Sequence, residues 1–130
     1  MKKARIGKLT AEWIIKGQND LRTAEILLKE KGPTDTLCFH CHQAAEKFLK
    51  AYLVHKRVRF EKIHDLWKLA KLTGKKDLKN FEKELKSLNA YYIESRYPPE
   101  TTVYTLSECK EIYASASKIT QRVLSLIEKS

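Results

Sequence analysis

Residues Phe39 to Leu53, FHCHQAAEKFLKAYL, put histidines, a carboxylate and lysines on a segment that is otherwise apolar enough to be buried. At 100° per residue, Leu37, Cys41, Ala45, Phe48 and Tyr52 fall on one face of a helix, and His40, Gln43 and Lys47 fall on another. One face makes core and the other is available for acid–base chemistry or a ligand. Two later patches have the same density of reactive groups: His64-Asp65-Leu66, and YYIESRYP from Tyr91 to Pro98. Arg96 and Tyr97 stand where a helix must end, beside Tyr91 and Tyr92. A guanidinium fork among aromatic rings can hold a phosphate and stack a base. The competing reading assigns Tyr92 to the core and leaves Arg96 covering helix-end carbonyls.

His64 with Asp65 reads first as a helix cap, since a short polar side chain satisfies free backbone N–H groups. Its imidazole can equally face a ligand or carry a proton near neutral pH. Cys38, His40, Cys41 and His42 suggest a metal at first sight. On one helix, however, Cys38 and His42 share a face while His40 and Cys41 point elsewhere, and tetrahedral zinc needs four convergent ligands. We expect neither metal nor cofactor, and packing roles for the cysteines. Three cysteines make an odd count for a disulfide framework and suit reduced thiols. No Walker loop is present, which excludes P-loop nucleotide hydrolysis.

The charge is uneven. Net charge is +10. Residues 1–46 hold 8 basic and 6 acidic groups, residues 47–76 hold 10 and 2, and residues 77–130 hold 8 and 8. The middle stretch would attract phosphates of nucleic acid, nucleotide or an acidic partner, or it is simply a solvated lysine-rich face. No apolar run approaches the roughly 18 residues needed to span a bilayer, and the N-terminus lacks an apolar signal core. A cytoplasmic protein without membrane association is expected.

These residues need helices to position them. The first helix, expected after Thr10, buries Ile14, Leu21, Ala24 and Leu28 before Gly32 and Pro33 stop it. The second runs from about Asp35 to Lys56, and the basic linker RVRFEK leads to a third that ends at Gly74. A fourth carries Leu78, Phe81, Leu85, Leu88 and Tyr92 at steps of three and four, until Pro98 and Pro99. Thr105-Leu-Ser-Glu108 is a capping box for a fifth helix that buries Ile112, Ala116, Ile119, Val123 and Ile127. No stretch of useful length alternates with period two. The fold class is all-α, an antiparallel up-and-down bundle of four to five helices in one domain over residues 1–130, with the first eight residues expected to be disordered.

The order of these features resembles the HEPN domain family, small helical proteins whose name denotes nucleotide binding in higher eukaryotes and prokaryotes. The resemblance rests on WIIKGQNDLRTAEILL, FHCHQAAEKFLKAYL, HDLWKLA and YYIESRYP in that order. It implies a helical bundle similar to the C-terminal domain of aminoglycoside nucleotidyltransferases, a homodimer, and a separately encoded minimal nucleotidyltransferase as partner, in a two-component or toxin–antitoxin system. By the resemblance, Glu46 and Lys47 would face Arg96, with Glu46 orienting it through a charge-assisted pair. The alternative for Glu46 is an exposed carboxylate paired with Lys50.

Family ribonucleases carry an arginine followed four to six residues later by a histidine. Arg96 is followed by Tyr97, Pro98, Pro99, Glu100, Thr101 and Thr102, with no histidine. That spacing recurs as Arg59 to His64, which reads as the coincidence of a basic linker and a helix cap. Together the resemblance, which supplies Glu46, Lys47 and Arg96, and the residues themselves, which add His64 and Tyr97, give a nucleotide- or RNA-phosphate-binding module with these five as ligand candidates and no catalytic residue assigned. A ribonuclease toxin that borrows a histidine and a nonspecific basic nucleic-acid binder are the alternatives.

Overall fold

The computed structural model describes residues 5–93 and 103–130, and everything described is helix or connection, with no strand. Six helices follow in order: α1 Lys8–Lys29, α2 Thr34–His55, α3 Leu66–Thr73, α4 Lys76–Lys79, α5 Glu82–Ile93 and α6 Leu106–Lys129. The expected five-helix pattern holds, with one split: α4 is a single turn set off from α5. Bonds reaching back three residues, from Leu78 N–H to Lys75 O and from Phe81 N–H to Leu78 O, tighten the chain at the break. The apolar stripe survives it, because Leu78, Leu85 and Leu88 remain buried at helical spacing.

α1 starts earlier than expected. Gly7 takes the N-cap position in extended conformation, and Thr10 is buried within the first turn instead of capping it. Of the eight N-terminal residues, 1–4 lie outside the described residues, 5–7 are exposed coil, and Lys8 already belongs to α1. The α1–α2 turn closes with a bond from Gly32 N–H to Leu27 O of 2.8 Å. So short a connection forces the two helices antiparallel.

α2 is the central element, packing on α1, α3, α5 and α6. Leu37, Cys41, Ala45, Phe48 and Tyr52 are all buried, as their shared face requires. α3 begins at Asp65, whose side chain accepts from the N–H groups of Trp67 and Lys68, and it stops at Gly74 in the left-handed region (φ 67°). α6 begins with the Thr105–Glu108 capping box, complete in both directions, and buries Ile112, Ala116, Ile119, Val123 and Ile127. Burial of these side chains supplies the main driving force. Among the described residues no helix is long and apolar enough to cross a membrane.

Candidate functional site

Two buried carboxylates organise the polar flank of α2. Asp20, on α1, receives His40 Nδ1 at 2.8 Å and the Lys47 ammonium. Glu46, on α2 and almost fully buried, accepts from Lys50 Nζ on Oε2 at 3.2 Å and from His64 Nδ1 on Oε1 at 3.0 Å. Helical periodicity produces both groups: His40 and Lys47 lie seven apart on one line of α2, and His42, Glu46 and Lys50 lie four apart on the next.

His64 has two attachments. Its ring donates to Glu46, and its backbone carbonyl accepts from Nε2 of His42 at 3.0 Å. The His42 tautomer follows, since a carbonyl can only accept: the proton is on Nε2, and Nδ1 accepts from the Gln43 amide at 3.3 Å. Burial pushes the His42 pKa down to about 4, so the ring is neutral at pH 7. Its role is to fix the backbone at His64. The side chain of His64 is 34% exposed. With Nδ1 held by a carboxylate, Nε2 is the atom presented outward, and it makes no hydrogen bond among the described residues.

Aromatic rings join the two groups. His40 meets Phe39 edge-on at 5.7 Å, Phe39 stacks on Tyr92 at 6.4 Å, and Tyr92 stacks on His64 at 4.5 Å with 14° between planes. The result is a ladder of four rings with an imidazole–carboxylate pair at each end. Lys50 is held from the other side, its ammonium 5.8 Å from the rings of both Trp13 and Phe60.

At Asp20 the electrostatic balance favours charge. Burial alone would raise its pKa, but hydrogen bonds from His40 and Lys47 and their charges outweigh burial, and the carboxyl ends below its usual range. Four exposed cations, Lys56, Arg57, Arg59 and Lys62, occupy the connection that leads into His64.

Of the candidates named from sequence, Glu46 and His64 are brought into direct contact, and Lys47 sits in the neighbouring Asp20 group. Arg96 and Tyr97 lie outside the described residues, and so does the pairing of Glu46 with Arg96. The Lys50 partner of Glu46 is present, but in the interior and not at an exposed surface. Capping of α3 falls to Asp65 alone, braced by Asn89, whose Nδ2 donates to Asp65 at 3.0 Å while its Oδ1 accepts from Leu66 N–H at 2.8 Å. Sequence reasoning missed Asp20 and Asn89, and of its two readings of Tyr92, a ring beside Arg96 or part of the core stripe, neither included the stack on His64.

The cysteines belong to the hydrophobic core. Cys38, Cys41 and Cys109 are all buried, and burial raises each thiol, Cys41 to about 12. Such thiols are poor nucleophiles and poor ligands. Among the described residues no group of three or more His, Cys, Asp or Glu side chains could hold a metal ion.

The HEPN domain family matches residues 10–127. Among solved structures, TT1696 from Thermus thermophilus is similar with a TM-score of 0.73 and 27% identity, covering 89% of this chain and 96% of that one. ST0689, an archaeal HEPN homologue, gives a TM-score of 0.75 over 92% of this chain and 98% of its own; at 22% identity the likeness concerns the fold. No curated protein matches the chain.

Proposed function

This chain belongs to the HEPN domain family, and from that premise we propose that it is a binding module for the phosphate and base of a nucleotide or RNA, acting as a homodimer with a separately encoded minimal nucleotidyltransferase. The observation that carries this reading is the His64–Tyr92 stack, with Nδ1 of His64 fixed on Glu46 and Nε2 directed outward. Aromatic faces accept any base, and each stacked base contributes about 1–3 kcal/mol. Cations of the α2–α3 connection supply the attraction for phosphate. Arg96 remains a ligand candidate by the family resemblance, and Tyr97 as the aromatic residue next to it.

Calorimetric titration with ATP and with a short single-stranded RNA tests the binding. The reading expects saturable binding of at least one of them, weakened about tenfold by His64→Ala and by Arg96→Ala. Unaltered affinity in both variants removes it. Sedimentation addresses the dimer. For the partner, the neighbouring genes are informative: an adjacent small nucleotidyltransferase reading frame supports the association, and co-purification of its product checks it.

A ribonuclease is the second reading, and the Glu46–His64 pair favours it. A carboxylate-held imidazole is a competent proton carrier, the group that the residues after Arg96 do not provide. Cleavage of RNA in the presence of a chelator, abolished by His64→Ala, would establish that reading; inertness of the native protein towards RNA excludes it.

A further inference from the structure

Between α5 and α6 lies a cleft of about 450 Å³, a size that suits a small ligand. Phe81, Leu88, Tyr91 and Ile112 provide its apolar surface. Glu84 also lines it, and Oε2 of that side chain is buried without any hydrogen-bond partner. The neighbouring charges do not account for it: Lys83 and Lys118 line the same cleft, yet neither pairs with Glu84. Glu108 is committed elsewhere, its Oε1 accepting from Thr105 N–H at 3.3 Å in the cap of α6. Glu84 therefore presents the cleft's one described carboxylate oxygen that is both buried and unsatisfied.

A buried polar atom without a partner is costly, and native proteins rarely keep one. A carboxylate oxygen only accepts, so what satisfies it must donate, and a cationic donor gives the stronger bond. The apolar side chains that line the same cleft select for a hydrocarbon or aromatic body attached to that cation. We propose that this cleft binds a small organic cation, a protonated amine or amidine with an apolar body, whose N–H groups donate to Oε2 of Glu84. The site uses none of the ladder residues His40, Phe39, Tyr92 and His64.

The test titrates the full-length protein with 2-phenylethylamine, with 2-phenylethanol as the uncharged counterpart, following backbone amide shifts by NMR. Expected are saturable shifts centred on α5 and α6, binding of the alcohol weaker by about tenfold or more, and a comparable loss for the amine in Glu84→Gln. Ala114→Trp, which adds bulk at an exposed position lining the cleft, should also weaken binding while leaving Glu84 intact. No saturable shifts, shifts centred away from the cleft, or affinity unchanged in Glu84→Gln would each overturn the proposal. Melting curves of both variants verify that folding is retained.

Discussion

Glu46 and His64 stand 18 residues apart in sequence and meet with Nδ1 3.0 Å from Oε1, while the second carboxylate oxygen takes the Lys50 ammonium at 3.2 Å. Lys50 is itself buried. Removing Glu46 therefore strands a cation in the interior, and Glu46→Ala should cost about 3 kcal/mol in urea denaturation. Replacing both partners with apolar residues, Glu46→Leu with Lys50→Met, should restore most of it. A loss below about 1 kcal/mol for the single change would contradict the pairing.

The helices were legible in the sequence because their signals are local. The Thr105–Glu108 box, Gly74 and the stripe from Ile112 to Ile127 each depend on neighbours within a few residues. Partners across helices are not local, so nothing near Glu46 identifies His64 as the donor it meets. Asp20 did carry a signal. Ile14, Gly17, Asp20 and Ala24, the buried line of α1, advance by three and four, which puts the carboxylate on the side facing α2. A charged residue on such a line needs a partner, and His40 and Lys47 were the available ones. The break between α4 and α5 was hidden because the apolar spacing continues across it.

Asp20 contributes in a pH-dependent way. Its folded-state pKa lies below the ordinary 3.8, so its contribution is complete above that value and disappears as pH falls through the lower one. Asp20→Asn should cost about 2 kcal/mol at pH 7, because Lys47 and His40 lose the negative charge and one of their two acceptor oxygens. The gap between native protein and variant, followed by chemical denaturation, should begin to narrow below about pH 4. A gap unchanged at pH 2 to 3 would contradict this assignment.

His42 acts with the opposite group type. Its folded-state pKa of about 4 lies below the unfolded 6.5, so the unfolded chain takes up a proton first as pH falls. Stability conferred by the neutral ring is therefore complete above about pH 6.5 and declines towards pH 4. The loss attributable to this residue reaches about 2 kcal/mol at pH 5. Subtracting the profile of His42→Gln from that of the native protein isolates the His42 part. Parallel profiles for native protein and variant would show that the ring is not held neutral.

Gly17 sits where α1 crosses α2. A Cβ there would lie 2.6 Å from the ring of Phe48, which is buried. Alanine is the better helix former by about 1 kcal/mol, yet the clash should win, and Gly17→Ala should destabilise by about 1 to 2 kcal/mol on thermal or urea unfolding. Stabilisation instead would mean that the helices are not in contact at this point.

The most direct measurement follows the ring nitrogens of His64 by 15N NMR as a short single-stranded RNA is added at constant pH. With Nδ1 held by Glu46 and Nε2 presented to the ligand, the Nε2 resonance should shift saturably, with a smaller response at Nδ1 and accompanying shifts of the Tyr92 ring. Shifts confined to the lysines and arginines between Lys47 and Lys76, with both nitrogens of His64 unmoved, would contradict the assignment of this site.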